Sequence, residues 1–553
     1  MNKKVCSFPI LFALLALLIG TCAVVFPASA QAAPTSTGSI TVSGTVARSY
    51  DAYQIFSANV VDGDSDAKIA TDFAWASDAA RDAVLPVLHS AGMPNSQTTA
   101  QEAAEWLNTD SHLTSALSAQ LARSLQSSGA EPVALNAGTA AELHCGYWLI
   151  VADDDAIAQG EAGTAPIMAL VGGGAVTVKP KAASPKAAKH VLEDGTAAWQ
   201  KAADATVGDD LYWRLSATVP AGPTAYDTYT VRFVDTMSAG LDPSKVAASM
   251  HVYVAAGAEG GFGAVACEDG NVSSTPAKGW TDITLQCKVS VEGSTFTVRT
   301  GDLIAALGGA DAFAEGARVV AVYNAPLGVN CNRGVTKGNP NEVYLRYPRS
   351  PFADQSGDAG FTRTPSDDAC AYTWDLALTK RGSDGDKPLA GAVLSIADDR
   401  GRTLAADGMW DAEGKATVTT GEDGRVTVSG VDSGKLEVRE LKAPKGYTPF
   451  EGTRSVTVKA EGLDVDQVAA AKPKLTITAE SPLRADSADG STGSLEASLI
   501  NTPTGTPPSI TTGGFMPSTG DMAMYAAAAA AVAGAALIVV ALLVKRGGGS
   551  HKE

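Results

Sequence analysis

Short runs in which apolar and polar residues alternate recur through most of this 553-residue chain. Examples lie at residues 211–219, 228–234, 296–299 and 343–347. A period of two places every second side chain on the same face of a β-strand, so each run can bury one face and expose the other. The pattern predicts antiparallel sheets that pack face to face as sandwiches.

Changes in composition divide the chain into domains and joints. In the first domain, residues 34–178, strand-like runs at 39–46 and 147–151 bracket two stretches with helical spacing, near 75–89 and 99–125. This order predicts a β domain with an α-helical insertion.

Two further domains follow, each after a joint. A linker rich in Lys, Pro and Ala covers 179–188 and precedes a middle domain at 189–349. A polar joint at 350–370 leads to a third, all-β domain at 371–503.

The N-terminus has the features of an export signal. Lys3 and Lys4 form a positively charged start, and residues 8–26 are almost wholly apolar. Residues 28–30, Ala-Ser-Ala, are the small residues that a signal peptidase requires. We predict a signal peptide at 1–30, with cleavage after Ala30 and Ala33 as the rival site.

The C-terminus has the features of a membrane anchor. A Thr/Pro/Gly spacer at 504–515 precedes an uncharged apolar run at 522–544. At about 1.5 Å per residue such a helix spans a bilayer core of about 30 Å, and the cationic tail at 545–553 stays on the cytoplasmic side. We predict a secreted chain that is held transiently at the membrane.

Charge and cysteine content narrow the function further. The net charge of -18 disfavours nucleic acid as a partner.

Five cysteines remain after the signal peptide is removed, and an oxidising exterior permits disulfides. We predict one disulfide between Cys267 and Cys287 and another between Cys331 and Cys370, which leaves Cys145 buried and free. No CxxC pair or histidine cluster suggests a metal site, and we predict no cofactor.

One run in the third domain places a lysine where an apolar core residue is expected. Alternation puts Lys380 on the same face as Leu376 and Leu378. By the same count, Glu440 and Asn501 also lie at the ends of apolar faces. Because burying an amine and a carboxyl separately is costly, we expect the three side chains to meet.

These three groups can react with one another. In an apolar pocket the pKa of a lysine falls and that of an acid rises, so a neutral amine can coexist with a protonated carboxyl. The amine of Lys380 then attacks the carboxamide of Asn501, Glu440 moves the protons, and ammonia leaves. We predict an isopeptide bond between the first and last strands of this domain.

A similar set is found in the middle domain. Lys189, Asp235 and Asn341 each share a strand face with apolar neighbours. We predict a second bond between Lys189 and Asn341 with Asp235 as the proton shuttle, and Asn339 as the alternative acceptor. Lys68 is the one lysine of the first domain and lies in a polar turn, so we predict no such bond there.

The segment LEVRELKAPKGY at 436–447 resembles the E-box, YxLxETxAPxGY, of Gram-positive pilins and of B-type repeats in collagen adhesins. The first Tyr of the motif is Gly434 here and its Thr is Leu441, whereas the acid, Glu440, is in place. Segments 233–241 and 338–341 resemble the middle domain of backbone pilins. That resemblance implies an isopeptide bond in both domains.

The segment MPSTG at 516–520 resembles the sortase signal LPxTG, with Met516 in place of Leu. The resemblance implies that a sortase cleaves between Thr519 and Gly520 and passes Thr519 to an amine.

The segment VKPK at 178–181 resembles the pilin motif VYPK, in which the lysine accepts the Thr of the next subunit. This implies that Lys181 is the acceptor, with Lys179 and Lys186 as rival amines.

Taken together, the chain resembles a sortase-assembled major (backbone) pilin. The resemblance implies a mainly β protein of three tandem Ig-like β-sandwich domains that acts as the structural shaft subunit of an adhesive pilus anchored to the cell wall. The implied partners are a sortase, further copies of the chain joined head to tail, and peptidoglycan, with host matrix proteins or glycans as candidate ligands. We expect single-turnover chemistry and no enzyme activity; a monomeric wall-anchored adhesin or an ancillary pilin is the alternative.

Overall fold

The computed structural model describes residues 36–505, except 45–46, 64–66, 110–111, 158–159, 181–183, 222–224, 269–270 and 354. Outside the described residues lie the predicted signal peptide, Lys181, most of the spacer, the motif at 516–520 with Thr519 and Gly520, and the apolar run at 522–544 with its tail. Within the described part of the chain, no helix is long and apolar enough to cross a membrane.

The first domain is a β-sandwich with helices packed on one outer face. A small sheet in the order β5-β1-β8 faces a larger sheet in the order β3-β2-β6-β7, and β4 also pairs with β2. The elements are β1 (Thr37–Val42), β2 (Ser49–Asp62), β3 (Lys68–Trp75), α1 (Asp78–Ser90), α2 (Ala100–Asn108), α3 (Ser115–Ser127), β4 (Val133–Asn136), β5 (Ala140–His144), β6 (Gly146–Ala152), β7 (Ile167–Val171) and β8 (Val176–Val178).

Strand β6 shows why the helices are needed. Trp148 and Ile150 pack toward the small sheet, whereas Leu149 and Val151 on the opposite face pack against the helices. Successive side chains of a strand point to opposite faces, so a strand that is apolar on both faces needs a covering layer on each. The predicted helical insertion supplies the second layer.

The predicted helical stretch at 99–125 is two helices. Thr99 caps the start of α2 and forms a reciprocal capping box with Glu102. Helix α2 ends at Asn108, and a second cap at Thr114 starts α3. Residues 108–112 between the helices are all polar, so the apolar spacing belongs to each helix separately.

The middle domain is a larger sandwich. One sheet has the order β10-β9-β12-β20-β14-β17 and the other β11-β23-β21-β13-β19-β18, with β22 paired to β21. The hairpin β15-β16 is a separate two-stranded sheet. The elements are β9 (Lys186–Glu193), β10 (Ala198–Gln200), β11 (Ala202–Asp204), β12 (Tyr212–Val219), β13 (Arg232–Met237), α4 (Val246–Ser249), β14 (His251–Ala256), β15 (Val265–Glu268), β16 (Asn271–Pro276), β17 (Thr281–Asp282), β18 (Lys288–Glu292), β19 (Thr295–Arg299), α5 (Leu303–Ala306), α6 (Ala310–Ala314), β20 (Ala317–Asn324), β21 (Asn339–Pro348), β22 (Phe361–Arg363) and β23 (Asp367–Tyr372).

Much of the joint predicted at 350–370 belongs to the middle sandwich. Strands β22 and β23 both pair with β21. Ala369 and Ala371 pack in the middle core, whereas Cys370 and Tyr372 pack in the core of the third domain. Strand β23 is thus buried from both sides, and the polar residues before it gave no signal of this. The linker predicted at 179–188 is shorter as well, because β9 begins at Lys186.

The third domain is also a sandwich. One sheet has the order β29-β24-β35-β31, with β34 paired to β35, and the other has the order β27-β26-β25-β30-β32-β33, with β28 paired to β25. The strands are β24 (Trp374–Gly382), β25 (Val393–Ala397), β26 (Thr403–Leu404), β27 (Trp410–Asp411), β28 (Val418–Thr419), β29 (Arg425–Val431), β30 (Gly434–Lys442), β31 (Tyr447–Thr448), β32 (Thr453–Glu461), β33 (Lys474–Ala479), β34 (Leu483–Asp489) and β35 (Ser494–Pro503).

The first and last strands of the third domain are direct neighbours. Strands β24 and β35 run parallel, with Lys380 opposite Leu499 and Gly382 opposite Asn501. Parallel neighbours separated by most of a domain close a long loop, so this pairing is decided by the whole fold.

Ion pairs cross the junction between the middle and third domains. The guanidinium of Arg402 binds both carboxylate oxygens of Asp209, at 2.6 and 2.7 Å. Arg333 contacts Asp375 at 2.8 Å. A two-pronged Arg–carboxylate pair fixes orientation as well as distance, so it resists rotation at the junction.

Candidate functional site

The third domain brings Lys380, Glu440 and Asn501 together. Lys380 on β24 and Asn501 on β35 lie on adjacent strands of one sheet, and Glu440 on β30 reaches them from the opposing sheet. Lys380 is fully buried, and Asn501 and Glu440 are 2% and 6% exposed. The cluster therefore spans the sandwich at the end of its apolar core.

The carboxylate of Glu440 contacts both of its partners. Its Oε1 lies 3.4 Å from Lys380 Nζ. The amide nitrogen of Asn501 donates to Oε1 at 2.9 Å and to Oε2 at 3.0 Å. The backbone N–H of Phe450 donates to Oε2 at 3.1 Å and helps to hold the acid in place.

Burial lowers the pKa of the lysine in this cluster. Desolvation lowers the pKa of Lys380 to about 8, and the nearby carboxylate of Glu440 opposes part of this fall. About a tenth of the amine is therefore uncharged at pH 7, a far larger fraction than for an exposed lysine, and this fraction has a free lone pair. The side-chain carbonyl oxygen of Asn501, Oδ1, is buried without a hydrogen-bond partner among the described residues.

The middle domain brings Lys189, Asp235 and Asn341 together in a different arrangement. Lys189 lies on β9 of one sheet, whereas Asp235 on β13 and Asn341 on β21 lie on the other. All three are 0% exposed. Lys189 Nζ contacts Asp235 Oδ2 directly in a buried ion pair. The cluster thus bridges the two sheets through the core.

A tyrosine that the sequence did not single out completes the middle cluster. The hydroxyl of Tyr323, on β20, accepts from Lys189 Nζ at 2.8 Å and from the amide nitrogen of Asn341 at 2.8 Å. It donates to Asp235 Oδ2 at 3.1 Å. In the sequence this tyrosine ends an apolar run and is indistinguishable from an ordinary core aromatic.

Aromatic rings also enclose the amine of Lys189. Its Nζ lies 5.3 Å from the ring centroids of both Trp213 and Tyr323. Desolvation lowers the pKa of Lys189 to about 8, with Asp235 opposing the fall, and burial raises the pKa of Asp235. Both shifts favour the uncharged forms of the pair.

The alternative acceptor Asn339 is held elsewhere. Its amide nitrogen donates to the carbonyls of Asn332 and Ala371, and its side-chain oxygen accepts from the backbone N–H of Asn332. Asn339 therefore shapes the loop before β21, whereas Asn341 faces the lysine cluster.

The backbone of Lys189 is fixed by a second buried lysine. Lys201 Nζ donates to the carbonyl of Lys189 at 2.8 Å and pairs with Asp367. Asp367 in turn accepts from the backbone N–H of Lys189 at 2.7 Å. The sequence reasoning missed this pair because Lys201 and Asp367 meet only when β23 closes the sheet.

The remaining predicted lysines lie apart from these clusters. Lys179 and Lys186 are exposed. In the first domain, Lys68 Nζ contacts Asp62 at 2.9 Å and the carbonyl of Gly172 at 2.6 Å, both outside a sandwich core.

The predicted disulfides are wrong: all five cysteines are free, and Cys145 is buried as expected. Cys267 lies on the hairpin that covers the outer face of the β9-β12-β20 sheet, whereas Cys287 packs against the middle core. Cys331 belongs to the middle core and Cys370 to the core of the third domain. In both pairs the partners lie in different packing layers.

No group of three or more His, Cys, Asp or Glu residues able to hold a metal occurs in the described part of the chain.

Comparisons with known proteins assign one domain of the chain to a family. Residues 375–472 match the family described as SpaA, prealbumin-like fold domain, so this part of the chain is a SpaA-type prealbumin-like domain. Over 129 residues the chain is 30% identical to the trypsin-resistant surface T6 protein of Streptococcus pyogenes serotype M6. That match spans 22% of this chain and 22% of the relative's length.

Solved structures of major pilins are also similar to the chain. The T6 backbone pilin of serotype M6 Streptococcus pyogenes matches with a TM-score of 0.46 and 16% identity over 85% of this chain and 98% of that one. The full-length major pilin SpaD from Corynebacterium diphtheriae matches with a TM-score of 0.42 and 15% identity over the same shares. The domain family and the T6 relative support the resemblance to Gram-positive backbone pilins that the sequence indicated.

Proposed function

We propose that this chain is the structural shaft subunit of a covalently polymerised pilus that is anchored to the cell wall and takes part in adhesion. The observation that carries the proposal is the pair of buried Lys–acid–Asn clusters in two consecutive sandwich domains. Stability alone is a weak reason to keep such groups in a core, because an apolar set of the same volume is often as stable or more stable, so two such clusters favour a chemical role.

Each cluster forms an isopeptide bond once the domain has folded. The neutral amine of Lys380 attacks the side-chain carbonyl carbon of Asn501, and the C–N bond to the amide nitrogen breaks. Glu440 takes a proton from the lysine nitrogen and delivers one to the leaving nitrogen, which departs as ammonia. The product replaces a buried amine that can take up a charge by a neutral amide, and it leaves the acid as it began.

The position of this bond suits a subunit under tension. Force enters the third domain at the start of β24 and leaves after β35, and these strands lie side by side. Pulling from those two ends would shear the hydrogen bonds between them. A bond between Lys380 and Asn501 would carry the load covalently and bypass the roughly 120 residues between.

Subunits are joined through the two motifs that resemble sortase substrates. A sortase attacks the carbonyl of Thr519, releases the chain from Gly520 onward, and transfers Thr519 to Lys181 of the next subunit. The terminal subunit is passed to peptidoglycan in the same way. These partners follow from the motifs at 178–181 and 516–520.

A surface ladder tests the polymer. Cells of the native host should show multimers that resist boiling in detergent, and Lys181→Ala should abolish them. Lys179→Ala and Lys186→Ala are the matched controls, because both remove an exposed amine from the same segment. A ladder that survives Lys181→Ala but is lost in either control would move the acceptor to that lysine.

A monomeric wall-anchored adhesin is the second candidate, favoured by the same wall-anchor motif. It predicts that the surface protein has the mass of a single subunit and carries both internal bonds. The absence of any ladder from cells that display the protein would support this reading over the shaft.

A further inference from the structure

The two clusters differ in the length of the acidic side chain and in the atoms that it contacts. Glu440 contacts the amine of Lys380, and both of its carboxylate oxygens accept from the amide nitrogen of Asn501. Asp235 is one methylene shorter. Among the described residues its Oδ2 contacts Lys189 and Tyr323, and its Oδ1 is buried without a partner.

The hydroxyl of Tyr323 occupies the gap that this leaves. It contacts the attacking nitrogen of Lys189 and the leaving nitrogen of Asn341 at 2.8 Å each, and it donates to the acid at 3.1 Å. The tyrosine is fully buried, and the ring of Phe296 packs edge-on against its ring, with 4.7 Å between the two ring centroids. Its hydroxyl is therefore held between the two nitrogens that exchange a proton.

We propose that Tyr323 is a catalytic residue of the middle-domain isopeptide reaction and relays a proton from Asp235 to the leaving amide nitrogen of Asn341. This inference rests on the proposed cross-link between Lys189 and Asn341 and adds a fourth participant to the reaction, beside those two residues and Asp235. In the third domain the longer Glu440 does the same work alone.

The relay balances atom by atom. The reaction starts from the neutral amine of Lys189 and the protonated carboxyl of Asp235. The lone pair of Nζ forms a bond to the side-chain carbonyl carbon of Asn341. Tyr323 gives its proton to the amide nitrogen and regains one from Asp235, while the excess proton on Nζ passes to the carboxylate. The C–N bond breaks with its electron pair on nitrogen, and ammonia leaves with acid and tyrosine restored.

The surroundings of Tyr323 favour a protonated hydroxyl that relays a proton over an ionised phenolate. Burial raises the pKa of Tyr323 well above its ordinary value, and the charge of Asp235 raises it further. The hydroxyl therefore keeps its proton until a basic leaving nitrogen develops beside it. Desolvation lowers the pKa of Lys189 to about 8, which supplies the neutral nucleophile.

The test follows bond formation in newly made protein. The full chain is synthesised in a cell-free system, samples are quenched at intervals, and digests are scored by mass spectrometry for the Lys189–Asn341 and Lys380–Asn501 peptides. In Tyr323→Phe we expect the first bond to form on the order of 100-fold more slowly, as for loss of a general acid, while the second keeps its wild-type rate. Tyr347→Phe, which removes a buried hydroxyl from the strand that carries Asn341, should leave both rates unchanged.

A rescue separates the relay from simple packing. Asp235→Glu combined with Tyr323→Phe adds the missing methylene and removes the hydroxyl, which reproduces the composition of the third-domain cluster. We expect the double variant to regain at least about a tenth of the wild-type rate. A slow Tyr323→Phe whose rate the added methylene does not restore would assign the tyrosine a packing role and overturn the relay.

The outcomes also distinguish the relay from the reaction on which it rests. A wild-type chain that never forms the Lys189–Asn341 peptide would refute the middle-domain cross-link itself. A wild-type chain that forms it, together with a Tyr323→Phe variant that forms it equally fast, would overturn only the role of Tyr323.

Discussion

Replacing Glu440 by Gln should prevent the third-domain cross-link while keeping the shape of the side chain. The amide retains the volume that packs beside Asn501 but has no carboxyl to exchange protons. Lys380 and Asn501 then remain unreacted, so the third-domain part of the wild-type mass deficit, about 17 Da or one ammonia, should be absent when the variant is compared with the mass calculated from its own sequence.

The expected loss of stability follows from the loop that the bond closes. A cross-link between Lys380 and Asn501 closes about 120 residues, and the chain-entropy relation gives about 5 kcal/mol for a loop of that length. A domain of about 130 residues unfolds with an entropy near 0.27 kcal/mol per kelvin, so this corresponds to a fall in Tm of roughly 18 °C. The buried amine left without its charged partner makes this a lower bound.

Intact mass and calorimetry of the same preparation provide the assay. Glu437→Gln is the matched control, because Glu437 lies on the same strand, half exposed and paired with Lys435 at the surface. An exposed pair of this kind contributes at most about 1 kcal/mol. An equal deficit from the calculated mass in wild type and Glu440→Gln, or an equal fall in Tm for both variants, would refute the reasoning.

Three further predictions concern the middle domain and its junction. Asn341→Ala should retain about 17 Da by intact mass, whereas Asn339→Ala should keep the wild-type deficit; the reverse would make Asn339 the acceptor. Burial and the neighbouring charge of Asp204 raise the pKa of Glu193 from 4.5 to about 8, so between these pH values the folded state binds more protons than the unfolded chain and stability should fall as pH rises. Thermal melts across pH 5 to about 8 should show this decline, and Glu193→Gln should flatten it; a wild-type profile that is already flat would contradict it. Arg402→Lys should lose the two-pronged ion pair at the junction and cost about 1–2 kcal/mol in denaturant unfolding; no change would show that the pair is screened.

The sequence alone predicted which side chains face the cores. Alternation within one strand is a local property, so a single run suffices to place Lys380 inward, and the same holds for Glu440 and Lys189. The cost of leaving such groups alone in an apolar interior then implied that they meet, and the structure brings them within contact.

Local patterns failed where two positions share a face. Asn339 and Asn341 are two residues apart, so alternation gives both the same orientation, and only the loop that binds Asn339 separates their roles. The disulfide between Cys267 and Cys287 failed for a related reason. Neighbouring runs in a sequence can end in different layers of a sandwich, and the sequence does not say which layer.

The tertiary structure alone decided the contribution of Tyr323 and the closure by β23. Tyr323 is an inward-facing aromatic residue in an apolar strand. Its hydroxyl contacts Lys189 and Asn341 only because the two sheets bring these residues to it. Strand β23 was hidden because each of its faces belongs to a different core. The face of a residue is set by neighbours along the chain, whereas its partners are set by contacts between strands that are far apart in sequence.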